Sequence, residues 1–420
     1  MHQLTRLENG ITVATAEMPH MASVSVGIWV AVGGRFEPAE ISGVSHFIEH
    51  LLFKGTQKRS AREISQAVEG IGGYLNAFTS EESTCFYSKA RHDRFDELLE
   101  VLTDMFLHSR FDLVDVDKER SVIKEELAMY RDQPQHHVHD LLNELMWPDQ
   151  PLGRSLTGSE KTLDAIQRPS LLSFRNANYV APGILVIAAG NLQHRKVVRA
   201  VRSISRRFPS GKRPTFLPAR DGQQAPRVKL VTRKTEQTQL AIGLRTCSRH
   251  DERRFALRLL STMLGENMSS RLFQSVREDH GLAYSIFSSN SYFDDVGGLV
   301  ISAGLDPDKL PQAIKLILRE LRRCVDDLPS VTELRRARDY TVGQMDLGLE
   351  STENQMMWLG EHLLGYGRMM EPAEMKRRLA AVRPAEIRAV AREFFRPERM
   401  SVALISPLKE TSWLPRLLRI

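Results

Sequence analysis

Three cysteines, Cys85, Cys247 and Cys324, are all that the 420-residue chain contains, and none lies in a CxxC pair. So few thiols exclude a disulfide scaffold and point to a reducing compartment. Long apolar runs are missing as well; nothing approaches the roughly 20 residues that a membrane-spanning helix needs. Blocks of one charge sign are absent, because 52 acidic residues are interleaved with 58 basic ones. The formal charge of +6 therefore reads as a mixed, solvated surface, without the aromatic-and-basic signature of a nucleic-acid face. The opening "MHQLTRLENGITVATAEM" has neither the apolar core of a signal peptide nor an Arg/Ser-rich transit helix. A soluble, cytoplasmic protein with no membrane or nucleic-acid partner is expected.

What is present is enough apolar residue, 42%, for more than one core. At this length a chain divides into about two or three domains. Period-two alternation in "GITVATAEM" and "ASVSVGIWVAVGG" predicts two early strands, and "GGYLNAFTSEESTCFYSKA" predicts two more around a polar turn at Ser80 to Glu82. Helical periodicity fills most of 93 to 147. The Pro- and Gly-rich stretch within 211–226 reads as a linker between an N-terminal domain, 1–210, and a C-terminal domain, 227–420.

The second part repeats the plan of the first. "RPSLLSFRNANYVAPGILVIA" and "RPAEIRAVAREFFRPERMSVA" align without a gap, with Arg168, Pro169 and Pro182 recurring 215 positions on as Arg383, Pro384 and Pro397. Proline at a helix start, a helix, then proline before a buried strand is one structural unit seen twice. The expected class is α+β: two homologous domains, each a mainly antiparallel sheet with helices packed on one face.

One helix carries residues that its own apolar pattern does not explain. In "SGVSHFIEHLLFKGT" the positions i, i+3 and i+4 share a face, so His46, Glu49 and His50 point the same way. Phe47, Ile48, Leu51 and Leu52 cover the rest of the helix, which should therefore be buried. Two imidazoles and a carboxylate in such a place need partners, since unpaired buried polar groups cost free energy. A divalent cation is one answer: imidazoles one turn apart supply two corners of a tetrahedral zinc site, leaving Glu49 beside the metal. Hydrogen-bonded core histidines are the competing account, and HxxEH on a buried helix favours the metal.

A catalytic zinc wants a third protein ligand and one open position. In "DKERSVIKEELAMYRD", Glu119, Val122, Ile123 and Glu126 form one stripe, so both glutamates interrupt an apolar face. Glu125 is turned about a hundred degrees away. Glu126 is the candidate ligand, and Glu119, two turns earlier, could reach a ligating histidine as an outer carboxylate. "QHHVHD" invites a second metal, but His136, His137 and His139 follow Pro134 at a helix start without i,i+4 spacing and read as an exposed helix N-terminus.

"HFIEHLLFKGT" with a glutamate 76 positions past its second histidine resembles the inverted zinc motif of the M16 metallopeptidases, the family of pitrilysin, insulin-degrading enzyme and mitochondrial processing peptidase. The likeness covers essentially the whole chain and is greatest to the bacterial processing-peptidase-like M16B branch, with its LuxS/MPP-like fold. It implies Zn2+ on His46, His50 and Glu126, Glu49 as general base and Glu119 in an outer role. The implied activity is a zinc-dependent endopeptidase for unfolded or short peptides. There a metal-acidified water loses its proton to Glu49 and attacks a polarised peptide carbonyl.

The resemblance extends further. "RLFQSVREDHGLAYSIFSS" is similar to the family segment whose Arg and Tyr assist the reaction, which implies Arg277 and Tyr284; from the residues alone both read more readily as structural. His280 stands where relatives often carry a basic residue. "GGYLNAFTSEESTCFY" is similar to the strand along which substrate lies, implying Asn76 and Ala77 as peptide-binding residues that read backbone. A clamshell chamber of four such domains is implied. A chain with two would pair with itself or with a related M16 subunit. The alternative within the same family is a non-catalytic or weakly active subunit with an assembly role, and the intact HxxEH opposes it.

Overall fold

The computed structural model describes residues 2–418. Elements run in the order β1 (His2–Arg6), β2 (Thr12–Glu17), β3 (Ser23–Val30), α1 (Val44–Leu52), α2 (Ala61–Glu69), β4 (Tyr74–Thr79) and β5 (Thr84–Arg91). The helices α3 (Phe95–His108), α4 (Leu113–Asp132) and α5 (Pro134–Met146) follow. The remaining strands are β6 (Ile184–Gly190), β7 (Arg227–Thr232), β8 (Thr238–Thr246), β9 (Ala283–Tyr292), β10 (Gly297–Leu305) and β11 (Met400–Ser406), with further helices between and after them. Among the described residues no helix is long and apolar enough to cross a membrane.

Two compact units result. The first comprises the chain up to Ala128, Arg154–Leu217 and Leu347–Met369; the second comprises Met129–Gly153, Pro218–Asp346 and the chain from Met370. Relative to halves at 1–210 and 227–420, each unit thus includes one segment from the other's stretch of sequence, and the Pro-rich connection divides at Leu217 and Pro218.

In the first unit the sheet order is β1-β2-β6-β3-β5-β4, antiparallel except for the β2·β6 pair. Alternation decides which side chain goes where. Val24, Val26, Ile28 and Val30 of β3 enter the main core with Phe47, Leu51 and Leu52 of α1 and Leu98, Leu102 and Met105 of α3. Trp29 points the other way, to a smaller cluster with Ala14, Ala16, Tyr87 and Ala189. Helix Thr352–Tyr366 covers that side through Met356, Leu359 and Leu363. It can lie close because its Gly360 faces Trp29; a Cβ there would come within 2.3 Å of the indole.

The second unit has the order β7-β11-β8-β10-β9, with β7·β11 its parallel pair. Leu240, Ile242 and Leu244 of β8 point to the main core with helices Arg254–Gly265, Leu310–Asp326 and Pro384–Phe394. The opposite side, at Ala241, Ala403 and Ile405, is covered by α5 through Val138, Leu142 and Met146. Gly243 on β8 makes room for the Met146 thioether, as Gly27 on β3 does for Met356 in the first unit. Each sheet therefore carries its main helical layer on one face and a single helix on the other, where small residues permit close approach.

The repeated unit read in the sequence occurs once in each. Pro169 and Pro384 start helices Arg168–Asn178 and Pro384–Phe394; Pro182 and Pro397 lie in the 3-10 turns that lead into β6 and β11. Both strands sit between one parallel and one antiparallel neighbour. The class is α+β with two like-built domains.

Candidate metal centre

The segment after β3 aims α1. Gly34 N donates to Ser80 O at 3.0 Å and Arg35 N to Glu81 O at 2.8 Å, tying this segment to the turn beyond β4. Glu37 then reaches forward to the start of α1, where its carboxylate accepts from Gly43 N at 2.7 Å and from Ser45 N at 2.8 Å. Gly43 precedes the helix with φ +96° and has no side chain to cap it, so the buried Glu37 supplies the missing acceptor. Burial raises the Glu37 pKa, and the two backbone donors pull against that rise.

Val44, Phe47, Ile48, Leu51 and Leu52 of α1 are buried, while His46, Glu49 and His50 lie half-buried on the remaining face. The His46 and His50 rings stand 4.6 Å apart. From α4, Glu126 Oε2 approaches His50 Nε2 at 3.5 Å and His46 Nε2 at 3.8 Å. One donor atom from each of the three lies within 4.8 Å of the others, and among the described residues no other group of His, Cys, Asp and Glu converges this way. Ligand atoms on a tetrahedral zinc with bonds of about 2.0–2.2 Å stand roughly 3.3–3.6 Å apart; the 3.5 Å pair meets that spacing and the 3.8 Å pair lies just beyond it, so two imidazoles and a carboxylate need only a small inward adjustment to hold that ion. Glu125 is exposed.

The surroundings act oppositely on the two imidazoles. Burial, with His50 next in weight, pushes the His46 pKa down to about 4, so the ring is neutral and its lone pair available at neutral pH. Burial pulls His50 down too, but Glu126 and Glu119 outweigh it and the pKa is raised. Glu119, nearly fully buried on α4, holds His50 Nδ1 at 3.1 Å, and its other oxygen takes Lys54 Nζ at 2.9 Å. A carboxylate on Nδ1 fixes the tautomer that turns Nε2 outward. Glu49 accepts from Thr79 Oγ1 at 2.5 Å; burial raises its pKa, opposed by Thr79 and His50 and assisted by Glu126.

Asn76 and Ala77 lie on β4, the last strand of the first sheet, with Asn76 exposed and its Oδ1 accepting from Ala77 N at 2.9 Å. In the second unit the Arg277 guanidinium sits over Phe273 at 4.8 Å and over Tyr284 at 5.8 Å, so these two residues are neighbours. Tyr284 is 76% exposed on β9, as befits a side chain facing solvent and not a core. His136, His137 and His139 do not converge; His136 packs on Tyr130, and His139 Nε2 meets Ser302 Oγ at 3.3 Å.

Three residues escaped the sequence reading. Lys54 follows His50 by one helical turn, a spacing that could have suggested it. Thr79 lies two residues beyond Ala77, on the same side of β4 by alternation. Glu37 offered no local pattern, being six and eight residues before the amides it caps.

Residues 12–160 match the family described as insulinase, peptidase family M16, and residues 165–340 match the peptidase M16 inactive domain. An uncharacterized zinc protease of Streptomyces coelicolor is 39% identical over 97% of this chain and 90% of its own length. The uncharacterized zinc protease YmxG of Bacillus subtilis is 36% identical over 95% of this chain and 97% of its own. Among solved structures, a protease from Helicobacter pylori superposes with a TM-score of 0.92 at 21% identity, covering 97% of this chain and 99% of that one.

Proposed function

This chain belongs to the M16 peptidase family, and from that premise we propose that it is a zinc-dependent endopeptidase acting on unfolded or short peptides. The observation that carries the reading is the convergence of His46 Nε2, His50 Nε2 and Glu126 Oε2 with Glu49 beside them on α1. Those three side chains would hold a zinc ion, which when bound would supply a Lewis acid for the scissile carbonyl and for the attacking water. Glu49 takes the proton of the attacking water and returns it to the leaving amine. Glu119 holds His50 in the tautomer that presents Nε2. The substrate adds to β4 as a further strand along Asn76 and Ala77, so recognition reads the peptide backbone. Arg277 and Tyr284 donate to the carbonyl oxygen as charge develops on it.

Four domains enclose substrate in this reading, so two chains act together. Sedimentation of an active monomer removes that part alone. The chemistry is tested with a quenched peptide, with and without a chelator: hydrolysis is expected with metal and lost without it. Glu49→Gln is expected to keep its zinc and lose about 10²–10⁴-fold in kcat. Stoichiometric zinc with near-normal turnover in that variant refutes the role of Glu49. A zinc-loaded wild type that cleaves nothing favours a non-catalytic subunit.

A further inference from the structure

We infer that Thr79 is the positioning residue for the base Glu49, and that β4 thereby joins peptide docking to base orientation in one element; this rests on the peptidase reading above. The starting fact is the hydrogen bond from Thr79 Oγ1 to Glu49 Oε2 at 2.5 Å. A glutamate reaches its target through three torsions, the last of them broad, so helix geometry alone does not aim its carboxylate. A donor fixed on one oxygen removes that freedom and leaves the second oxygen for the water whose proton is taken.

Thr79 is itself held. It ends β4 opposite Thr84, and the turn that follows closes with Ser80 N donating to Ser83 O at 2.8 Å. The same turn receives the backbone donors of Gly34 and Arg35. Arg35, 2% exposed, adds an ion pair to Glu82 at 2.7 Å while its guanidinium lies on the Phe216 ring at 3.9 Å. The hydroxyl is thus supported by backbone and a buried cation, the arrangement that a precisely aimed group requires.

β4 is also the sheet edge that carries Asn76 and Ala77. A peptide that pairs with this edge orders the strand whose last residue aims the base. Loss of the Thr79 donor should therefore slow turnover with no loss of binding. Thr79→Val keeps the branched shape and removes the donor. We expect kcat to fall about 10- to 100-fold, with KM and zinc content unchanged. Thr79→Ser, which keeps the hydroxyl, should return kcat to within about threefold of wild type.

In a Glu49→Gln background, Thr79→Val should add no further loss, because its effect passes through Glu49. A Thr79→Val kcat within twofold of wild type overturns the inference. A Thr79→Ser variant as slow as Thr79→Val, or an undiminished loss in the Glu49→Gln background, assigns Thr79 to strand packing and overturns it as well. Failure of the peptidase reading looks different: the wild type itself then shows no metal-dependent hydrolysis.

Discussion

The two units share a five-strand plan, to which the first adds β1, and differ in what the helix after the central strand presents. In the first, β3 leads to α1, whose His46, Glu49 and His50 remain half-buried beside Glu126. In the second, β8 leads to helix Arg254–Gly265, in which every residue but Arg258 is buried. There Leu257, Leu260 and Leu264 fill the core, and the polar side chains are satisfied locally. Ser261 Oγ donates to Glu266 Oε1 at 2.7 Å and Thr262 Oγ1 to Glu266 Oε2 at 3.1 Å. One scaffold thus supports either a half-buried helix face of histidines and glutamate or a dry packed one, and the choice lies in a few side chains.

What the second unit would contribute to chemistry then reduces to Arg277 and Tyr284, and the largest expected effect tests this. Tyr284→Phe should lower kcat by about 10²–10³-fold, the cost of one donor to a developing oxyanion, with KM moving less. Tyr284 is 76% exposed, so loss of its hydroxyl should disturb little packing. Steady-state kinetics with unchanged kcat would leave the second unit as scaffold and make the contrast between the units complete. A smaller effect is expected inside the first unit. Glu119→Gln keeps the shape but replaces the carboxylate that holds His50 Nδ1 and Lys54 Nζ. Zinc affinity, measured by competition with a chromophoric chelator, should weaken about 10- to 100-fold. Unaltered affinity would mean that α1 alone orients His50.

Much of this contrast was legible in the sequence because it rests on short-range geometry. HxxEH fixes three side chains on one face at any α-helical site, and helix angle alone separates Glu126 from Glu125. The repeat of Arg168, Pro169 and Pro182 at Arg383, Pro384 and Pro397 announced like-built domains, since proline marks helix starts and strand entries wherever it stands. Long-range geometry was not legible. The apolar faces of α5 and of helix Thr352–Tyr366 show that each covers something, but Gly243 and Gly27, which admit Met146 and Met356, identify the sheet only after folding. Thr79 is an ordinary strand-end type until the chain brings Glu49 to it, and the one-turn spacing of Lys54 from His50 does not by itself show the pairing with Glu119. Glu37 caps α1 across a turn, beyond the three-residue spacing by which a capping box is recognised.

The smallest expected effect lies in the second unit's dry helix and is the sharpest control on the comparison. Ser261 of helix Arg254–Gly265 is fully buried and bonded to Glu266, with Ser288 Oγ at 3.2 Å. Ser261→Ala removes one donor and leaves Glu266 its bonds from Thr262 and Arg258, so no carboxylate is stranded. The loss should be that of one satisfied hydrogen bond, about 1 kcal/mol, seen as a fall of roughly 2–4 °C in the melting transition. Zinc content and kcat should not change, because nothing at this position touches metal or peptide in the proposed reaction. A Ser261→Ala protein that melts normally but loses zinc or turnover would show that the packed helix takes part in the chemistry, and the division of labour between the two units would have to be abandoned.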